Sequence, residues 1–445
     1  MKSGEKMETE NILIKDAIIL KQEKTHGKII QSGKKGSLLI ENDKIAEMSQ
    51  KIDSIAIDKV IDGTNKILMP GLINTHTHIS MNLFRGLADD MELSTWLNDH
   101  IWPMEAKLNG EYCYIGALLA QVEMIKSGTT TFSDMYFFME DVAKSVEESG
   151  IRGCLSHGMI DFGDSKKREK EFRENISLIK KCNNRSNGRI KTFFGPHSTY
   201  TTSKELLEGV REKANKYGVK IHIHMNETEK EINDVVEATG KRPFEYLDGI
   251  GFLDDDVVAA HGVWLSKEEI AIIKENDVKI SHNPCSNMKL SSGISPVTEL
   301  LANDICVSIG TDGAASNNNL DMFEEMKFAS LLQKVNTRNP MAVPADEVIN
   351  MATLNGAESL GLANDIGSLE VGKYADMILI DINSPNLTPM SNQISSNLVY
   401  AANGSNVHTT ICNGEILMEN RKLTKLDENE ILKRAKIAIE ELKSA

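Results

Sequence analysis

A chain of 445 residues exceeds what one hydrophobic core usually supports, and a 40% hydrophobic content suffices for a large domain with a smaller companion. With 65 Asp and Glu against 50 Lys and Arg the net charge is −15, which excludes a duplex nucleic-acid surface built on clustered cations and favours a small-molecule ligand. No run of ~18 apolar residues occurs, the polar start lacks a signal-peptide core, and six scattered cysteines form no Cys-x-x-Cys pair; a soluble, cytoplasmic protein with reduced thiols and no membrane partner is expected.

Taken in chain order, Ile12 to Leu20 and Gly36 to Ile40 read as short strands separated by a polar linker, Lys21 to Lys35. Two further strand candidates, Ile55 to Ile61 and Lys66 to Met69, lead to Pro70-Gly71 and the apolar pair Leu72-Ile73, which ends in Asn74-Thr75-His76-Thr77-His78. Side chains alternate in an extended chain, so His76 and His78 project to one side. They are half of a transition-metal site if later strands bring more ligands, and two unrelated loop histidines if not.

From there strand-like runs alternate with helix-length stretches. The strand cores are Leu72-Ile73, Thr129 to Met135, Ile151 to Ile160, Lys191 to Gly195, Lys220 to His224, Val257 to Ala260, Lys279 to His282 and Cys306 to Gly310. Eight such units over roughly 270 residues predict a (β/α)8 barrel. A long insertion, Asn82 to Gly110, carries Trp96, Trp102-Pro103 and Glu105 and is expected to cover a site or a partner. Beyond Ala342, helical stretches at Ala345 to Asn355 and Ala357 to Leu360 give way to strands at Lys373 to Asp381 and Val407 to Gly414, and Asn429 to Lys443 is an amphipathic helix. The expected fold is α/β, a (β/α)8 TIM barrel at 69–364 with a small β-rich domain built from both chain ends, 10–68 and 365–425, and a C-terminal helix at 426–445.

Side chains at the C-terminal ends of barrel strands converge on one face. The fifth strand ends His222-Ile223-His224-Met225-Asn226-Glu227, the sixth runs into His261, and the eighth ends Gly310-Thr311-Asp312. Singly, His261 reads equally as an interior histidine, Asp312 as turn chemistry and Glu227 as a helix-dipole partner. Jointly, in chain order at strand ends, they favour a metal site with an acid beside it. His222 is read as packing deeper in the barrel and left outside the site.

Pro-Gly-Leu-Ile-Asn-Thr-His-Thr-His, His-Met-Asn-Glu-Thr, Ala-His-Gly-Val-Trp, Ser-His-Asn-Pro-Cys-Ser-Asn-Met-Lys-Leu and Gly-Thr-Asp-Gly-Ala-Ala-Ser resemble the motifs of amidohydrolase-superfamily deaminases. Phe84-Arg85-Gly86-Leu87-Ala88 and Trp102-Pro103-Met104-Glu105 are similar to those of the methylthioadenosine, S-adenosylhomocysteine and 5'-deoxyadenosine deaminases. The resemblance implies that His76, His78, His224 and Asp312 hold one divalent ion, expected to be zinc. Binuclear relatives carry a modified lysine at the end of the fourth strand, where this chain has Gly195-Pro196-His197.

The implied chemistry is attack of activated water on carbon 6 of adenine. Glu227 protonates the neighbouring ring nitrogen, Asp312 moves the proton to departing ammonia, and His261 orients the nucleophile. For the substrate, the resemblance implies Glu105 at the ribose hydroxyls, unless it is an exposed helix charge, and His197 at the sugar. It places Ser316 at the base edge, and Trp96 as a stacking wall or as core of the insertion. Relatives that favour S-adenosylhomocysteine carry an arginine where this chain has His157, so a neutral 5' substituent is expected, with Arg168 and Arg173 near enough in sequence to compensate.

The implied activity is deamination of 5'-deoxyadenosine, 5'-methylthioadenosine, S-adenosylhomocysteine or adenosine, in recycling of S-adenosylmethionine by-products, by a homo-oligomer with a tetramer as one form. The alternatives are a guanine or triazine deaminase or chlorohydrolase on the same scaffold, and a non-catalytic barrel. The second is disfavoured because Glu227 and every metal-ligand candidate are present.

Overall fold

Alternation at the fifth barrel strand shows how this chain builds its frame: Ile221, Ile223 and Met225 are fully buried among apolar neighbours, while the intervening His222 and His224 meet other histidines. The computed structural model describes residues 11–25, 28–53, 57–91, 95–391 and 393–444. Five strands come first: β1 (Ile12–Thr25), β2 (Lys28–Glu41), β3 (Lys44–Ser49), β4 (Lys59–Asp62) and β5 (Lys66–Pro70). Eight follow in one parallel sheet: β6 (Leu72–Thr77), β7 (Thr129–Tyr136), β8 (Arg152–Met159), β9 (Ile190–Pro196), β10 (Ile221–Met225), β11 (Val257–His261), β12 (Lys279–His282) and β13 (Val307–Ile309), neighbours in space as in sequence. The chain ends with β14 (Met377–Asp381), β15 (Val407–Cys412), β16 (Glu415–Glu419), β17 (Lys422–Leu423) and a helix, Glu428–Ser444.

The parallel strands form the expected barrel, with helices between successive strands. Polar caps fix where those helices start: the side chains of Asn109, Asp164, Ser203, Thr228, Ser266 and Asp321 each accept a backbone N–H from the first turn. No ladder joins β13 to β6 among the described residues. The two ends of the sheet meet instead through Thr75 Oγ1, which donates to Ile309 O at 3.0 Å, and through the segment after β13. Asp312 N donates to His76 O at 2.9 Å, Thr311 N donates to Asn74 Oδ1 at 3.0 Å, and Asn74 Nδ2 donates to Thr311 Oγ1 at 2.8 Å.

The second sheet has nine strands in the order β17-β16-β15-β14-β5-β1-β2-β3, with β4 paired to β1, so both chain ends contribute as expected. Its own core gathers Ile14, Leu38, Ile40, Leu379 and Ile411. One buried ion pair ties it to the barrel. Arg152 on β8 donates to Asp376 at 3.0 and 3.1 Å and to Asn413 at 3.1 Å, with both charged side chains 2% exposed. No helix among the described residues is long and apolar enough to cross a membrane.

Three local expectations need correction. The polar stretch Lys21 to Lys35 is no linker, since β1 continues to Thr25 and β2 begins at Lys28, with Leu20 opposite Gly33 and Lys21 opposite Ser32. Its polarity is satisfied sideways, because Gln22 and Gln31 both donate to Asn350 Oδ1. The strand expected from Ile55 runs instead over Lys59–Asp62; residues 54–56 lie outside the described set. Short helices at Pro284–Lys289, Pro243–Gly249 and Ile394–Tyr400, too brief for periodicity to reveal, were not expected.

Candidate active site

At the C-terminal mouth of the barrel the side chains of β6, β10 and the turn after β13 converge. Asp312 Oδ1 is 3.4 Å from His76 Nε2 and 3.2 Å from His78 Nε2, and His78 Nε2 is 3.2 Å from His224 Nε2. The opposite ring nitrogens explain this orientation. His78 Nδ1 meets the carbonyl of Met135 at 2.6 Å and His224 Nδ1 meets that of His197 at 2.7 Å. A carbonyl only accepts, so Nδ1 carries the hydrogen in both and Nε2 keeps its lone pair for a cation. His76 Nδ1 pairs at 2.8 Å with His222 Nε2, while His76 Nε2 is buried with no hydrogen-bond partner.

Burial lowers the His76 imidazole to about 3 and drives that of His224 well below its ordinary value, so both stay neutral, the form that coordinates metal. Three imidazole nitrogens and a carboxylate oxygen with an orphaned Nε2 among them fit a divalent ion such as zinc. His261 Nε2 also approaches this group, and His76, His224 and His261 form a second set of mutually close donors.

Around the cage the remaining groups are held in fixed orientations. His261 Nδ1 pairs with Asn287 Oδ1 at 2.9 Å, which turns its Nε2 toward Glu227, 3.8 Å away. Burial raises the Glu227 carboxyl against the opposing pull of His261. Burial by itself disfavours the His261 cation, but the carboxylates of Glu227 and Asp312 outweigh it and the net shift is upward. Ser286 and Ser316 donate to Asp312 Oδ2 at 2.7 and 2.9 Å. The backbone of Glu227 and Asn226 donates to the buried carboxylate of Glu231 at 2.7 and 3.1 Å.

Three residues here adopt left-handed backbone without being glycine: Asn226 (φ 53°), His261 (φ 78°) and Asp312 (φ 62°). Such geometry costs of order 1–3 kcal/mol each and persists because neighbours over-determine it. For Asn226 the restraint is Glu269, which accepts from its Nδ2 at 3.0 Å.

The cage opens into a cavity of about 800 Å³, counting the open solvent at its mouth. Its walls include Met81, Trp96, Leu97, Ile101, Phe137 and Leu290, and no Lys or Arg lines it among the described residues. Glu105, His197 and Ser316 line it. Glu105 is half-buried, its Oε1 accepting from Tyr136 Oη at 2.6 Å, and it is not a free surface charge. Trp96 is 6% exposed and serves both as wall and as part of the core. His197 Nδ1 meets Thr201 Oγ1 at 2.9 Å, and burial lowers its imidazole to about 3. Ser316 spends its hydroxyl hydrogen on Asp312 or on the Gly313 carbonyl at 3.1 Å.

His157 does not reach the cavity. Gly158 and Ile160 line it, and alternation along β8 turns His157 the other way, where its Nε2 meets Glu171 at 2.5 Å. Nor do the two arginines compensate for it: Arg168 pairs with Asp161 at 2.9 Å and exposed Arg173 with Glu169 at 3.9 Å. His222, read from the sequence as packing deeper in the barrel, is fully buried there and hydrogen-bonds His76, while Ser286, Asn287, Glu231 and Tyr136 were not singled out. Ser286 and Asn287 lie within the Ser-His-Asn-Pro-Cys-Ser-Asn run that carried the resemblance, and Glu231 follows Glu227 by one helical turn.

The sequence signature of the Amidohydrolase family matches residues 67–417. The chain is 66% identical over 439 residues to a 5'-deoxyadenosine deaminase of Methanobrevibacter smithii, covering 99% of this chain and 100% of the relative. It is 52% identical to a 5'-deoxyadenosine deaminase of Methanosphaera stadtmanae, covering 98% and 100%. Among solved structures, an adenosine deaminase from Xanthomonas campestris with bound zinc superposes with a TM-score of 0.91 at 32% identity, covering 98% of this chain and 99% of that one. An atrazine chlorohydrolase from Arthrobacter aurescens shares the fold at 23% identity, with a TM-score of 0.88 over 96% of this chain and 100% of that one. With the signature spanning most of its length and full-length relatives this similar, the chain belongs to the amidohydrolase family.

Proposed function

We propose that this enzyme hydrolytically deaminates 5'-deoxyadenosine and adenosines with other small neutral 5' substituents, releasing ammonia and the inosine analogue. The observation that carries the reading is the cage of His76, His78, His224 and Asp312, beside Glu227 and His261, at the floor of a cavity that no Lys or Arg lines among the described residues. The full-length similarity to proteins named 5'-deoxyadenosine deaminase supports it. The ligand set is read as holding one zinc ion in a homo-oligomeric enzyme that returns by-products of S-adenosylmethionine to metabolism.

These four residues would hold a divalent cation, which when bound would supply the charge that makes water a nucleophile near neutral pH. Glu227, protonated more readily because it is buried, donates its proton to the ring nitrogen beside carbon 6, so that the ring accepts electrons as the carbon is attacked. His261, fixed by Asn287, hydrogen-bonds the incoming oxygen and orients it. Asp312, held by Ser286 and Ser316, takes one proton of the nucleophile and returns it to the departing amine, while the water's other proton restores Glu227. The aromatic and aliphatic walls exclude bulk water from the base, and among the described residues no Lys or Arg lines the cavity to pair with the carboxylate of S-adenosylhomocysteine.

Loss of adenine absorbance, followed across 5'-deoxyadenosine, 5'-methylthioadenosine, adenosine, S-adenosylhomocysteine, guanine and a triazine, tests the reading. The neutral 5'-substituted nucleosides are expected to have the highest kcat/KM. Turnover of guanine or triazine with the adenosine analogues untouched would overturn the assignment, and S-adenosylhomocysteine as best substrate would overturn the preference.

A further inference from the structure

We infer that Tyr136 is a specificity-determining positioning residue: it ties the carboxylate of Glu105 to the same strand end that orients the metal ligand His78. The inference rests on the proposed nucleoside deaminase activity. Its starting point is the last three residues of β7. Asp134 Oδ1 accepts from Ile79 N at 2.8 Å and from Thr77 Oγ1 at 3.0 Å, Met135 O meets His78 Nδ1 at 2.6 Å, and Tyr136 Oη donates to Glu105 Oε1 at 2.6 Å. One rigid strand end thus fixes the segment around His78, the ligand itself and, 31 residues from Tyr136 in sequence, a carboxylate of the insertion.

Glu105 needs such a tie. It ends a helix of 4 residues, Trp102–Glu105, which follows the π-helical turn Trp96–Ile101, and neither segment has a side-chain cap. Tyr136 is 4% exposed and ends a strand buried along its whole length, so its phenol is the stiffer partner. A phenol O–H on Oε1 occupies one oxygen of the carboxylate and leaves Oε2 to accept from the substrate. Both Glu105 and Tyr136 line the cavity that opens from the cage.

The geometry suits recognition of a vicinal diol on the sugar, at a distance from the reacting carbon set by one strand end. A site built to hydrogen-bond a hydroxyl discriminates against the analogue that lacks it, because its own buried acceptor is left unpaired. Removing the phenol oxygen frees Glu105 to swing while leaving the cage and Glu227 untouched. The loss should therefore appear as weaker binding of the ribose, with the chemical step preserved.

The test compares 5'-deoxyadenosine with 2',5'-dideoxyadenosine in the zinc-loaded wild-type protein and in Tyr136→Phe, Glu105→Ala and the double variant. For Tyr136→Phe, KM for 5'-deoxyadenosine is expected to rise about tenfold with kcat within about threefold, and the preference over the 2'-deoxy analogue to fall by a similar factor. In the Glu105→Ala background the same change is expected to add nothing, since Tyr136 acts through Glu105. An unchanged preference in Tyr136→Phe, an equal loss in both backgrounds, or a fall in kcat at constant KM would each overturn the inference. Absence of turnover on any adenine nucleoside by the wild-type protein would instead overturn the underlying activity, which keeps the two failures distinct.

Discussion

His76 and His222 are joined ring to ring, Nδ1 to Nε2 at 2.8 Å, in the fully buried interior of the barrel. His222 Nδ1 rests in turn near Ser133 Oγ at 3.3 Å, so a chain of hydrogen bonds runs from the barrel core to His76, proposed above as a metal ligand. A histidine that ligates metal is commonly held in its tautomer by such a partner, and losing the partner weakens affinity about 10–100-fold. His222→Ala is therefore expected to keep the fold, retain Asp312, His78 and His224, and lower zinc affinity by that factor. Competition with a chromophoric chelator measures it.

Glu227 is buried beside His261 but belongs to none of the close donor sets. Glu227→Gln is expected to keep one ion per subunit and lose about 10²–10⁴-fold in kcat, the usual worth of a positioned general acid. Elemental analysis beside steady-state kinetics checks both halves. Loss of the ion with loss of turnover would show that Glu227 holds the cage together rather than donating a proton.

The Arg152–Asp376 pair is bidentate, 2% exposed on both sides and shared between the barrel and the nine-stranded sheet. Removing one partner leaves a charge stranded in a low-dielectric interior, at a cost of about 3–5 kcal/mol. Arg152→Met is expected to lower stability by that amount in urea titration. Replacing both with well-packed apolar residues should recover most of the loss.

Burial raises Glu325 to about 8 from an ordinary 4.5, with its oxygens facing Cys285 N and the Asn317 amide. The folded chain thus keeps a proton that the unfolded chain releases near 4.5, so folding takes up a proton between those values. Stability from this group is full below that window and falls as pH rises through it. Thermal melts from pH 6 to pH 9 should show Tm decreasing, and Glu325→Gln should flatten the slope.

The sequence was most legible where alternation and apolar runs speak for themselves. The strands that carry His76, His224 and His261 are short and open on apolar residues, His78 follows β6 directly, and their order along the chain is their order around the barrel. The hairpin across Lys21 to Lys35 was hidden because its strands face each other and Asn350 with polar groups, so no apolar rhythm marks it. His157 was misplaced by one step of alternation, and a single residue decides whether a strand side chain faces the cavity or the outer helices. The Tyr136–Glu105 contact was out of reach for another reason: it joins a strand end to an insertion whose path follows from packing alone.

Among the described residues the hoop of strands lacks a β-ladder between β13 and β6, and the two lips of that seam carry Asp312 and His76. A cation gripping both would act as a clasp on the ring, so reactive centre and mechanical fastening coincide. Stripping such an ion should then slacken amide protection along β6 and β13 ahead of the opposite wall, and an enzyme starved of metal would loosen before it forgets its shape.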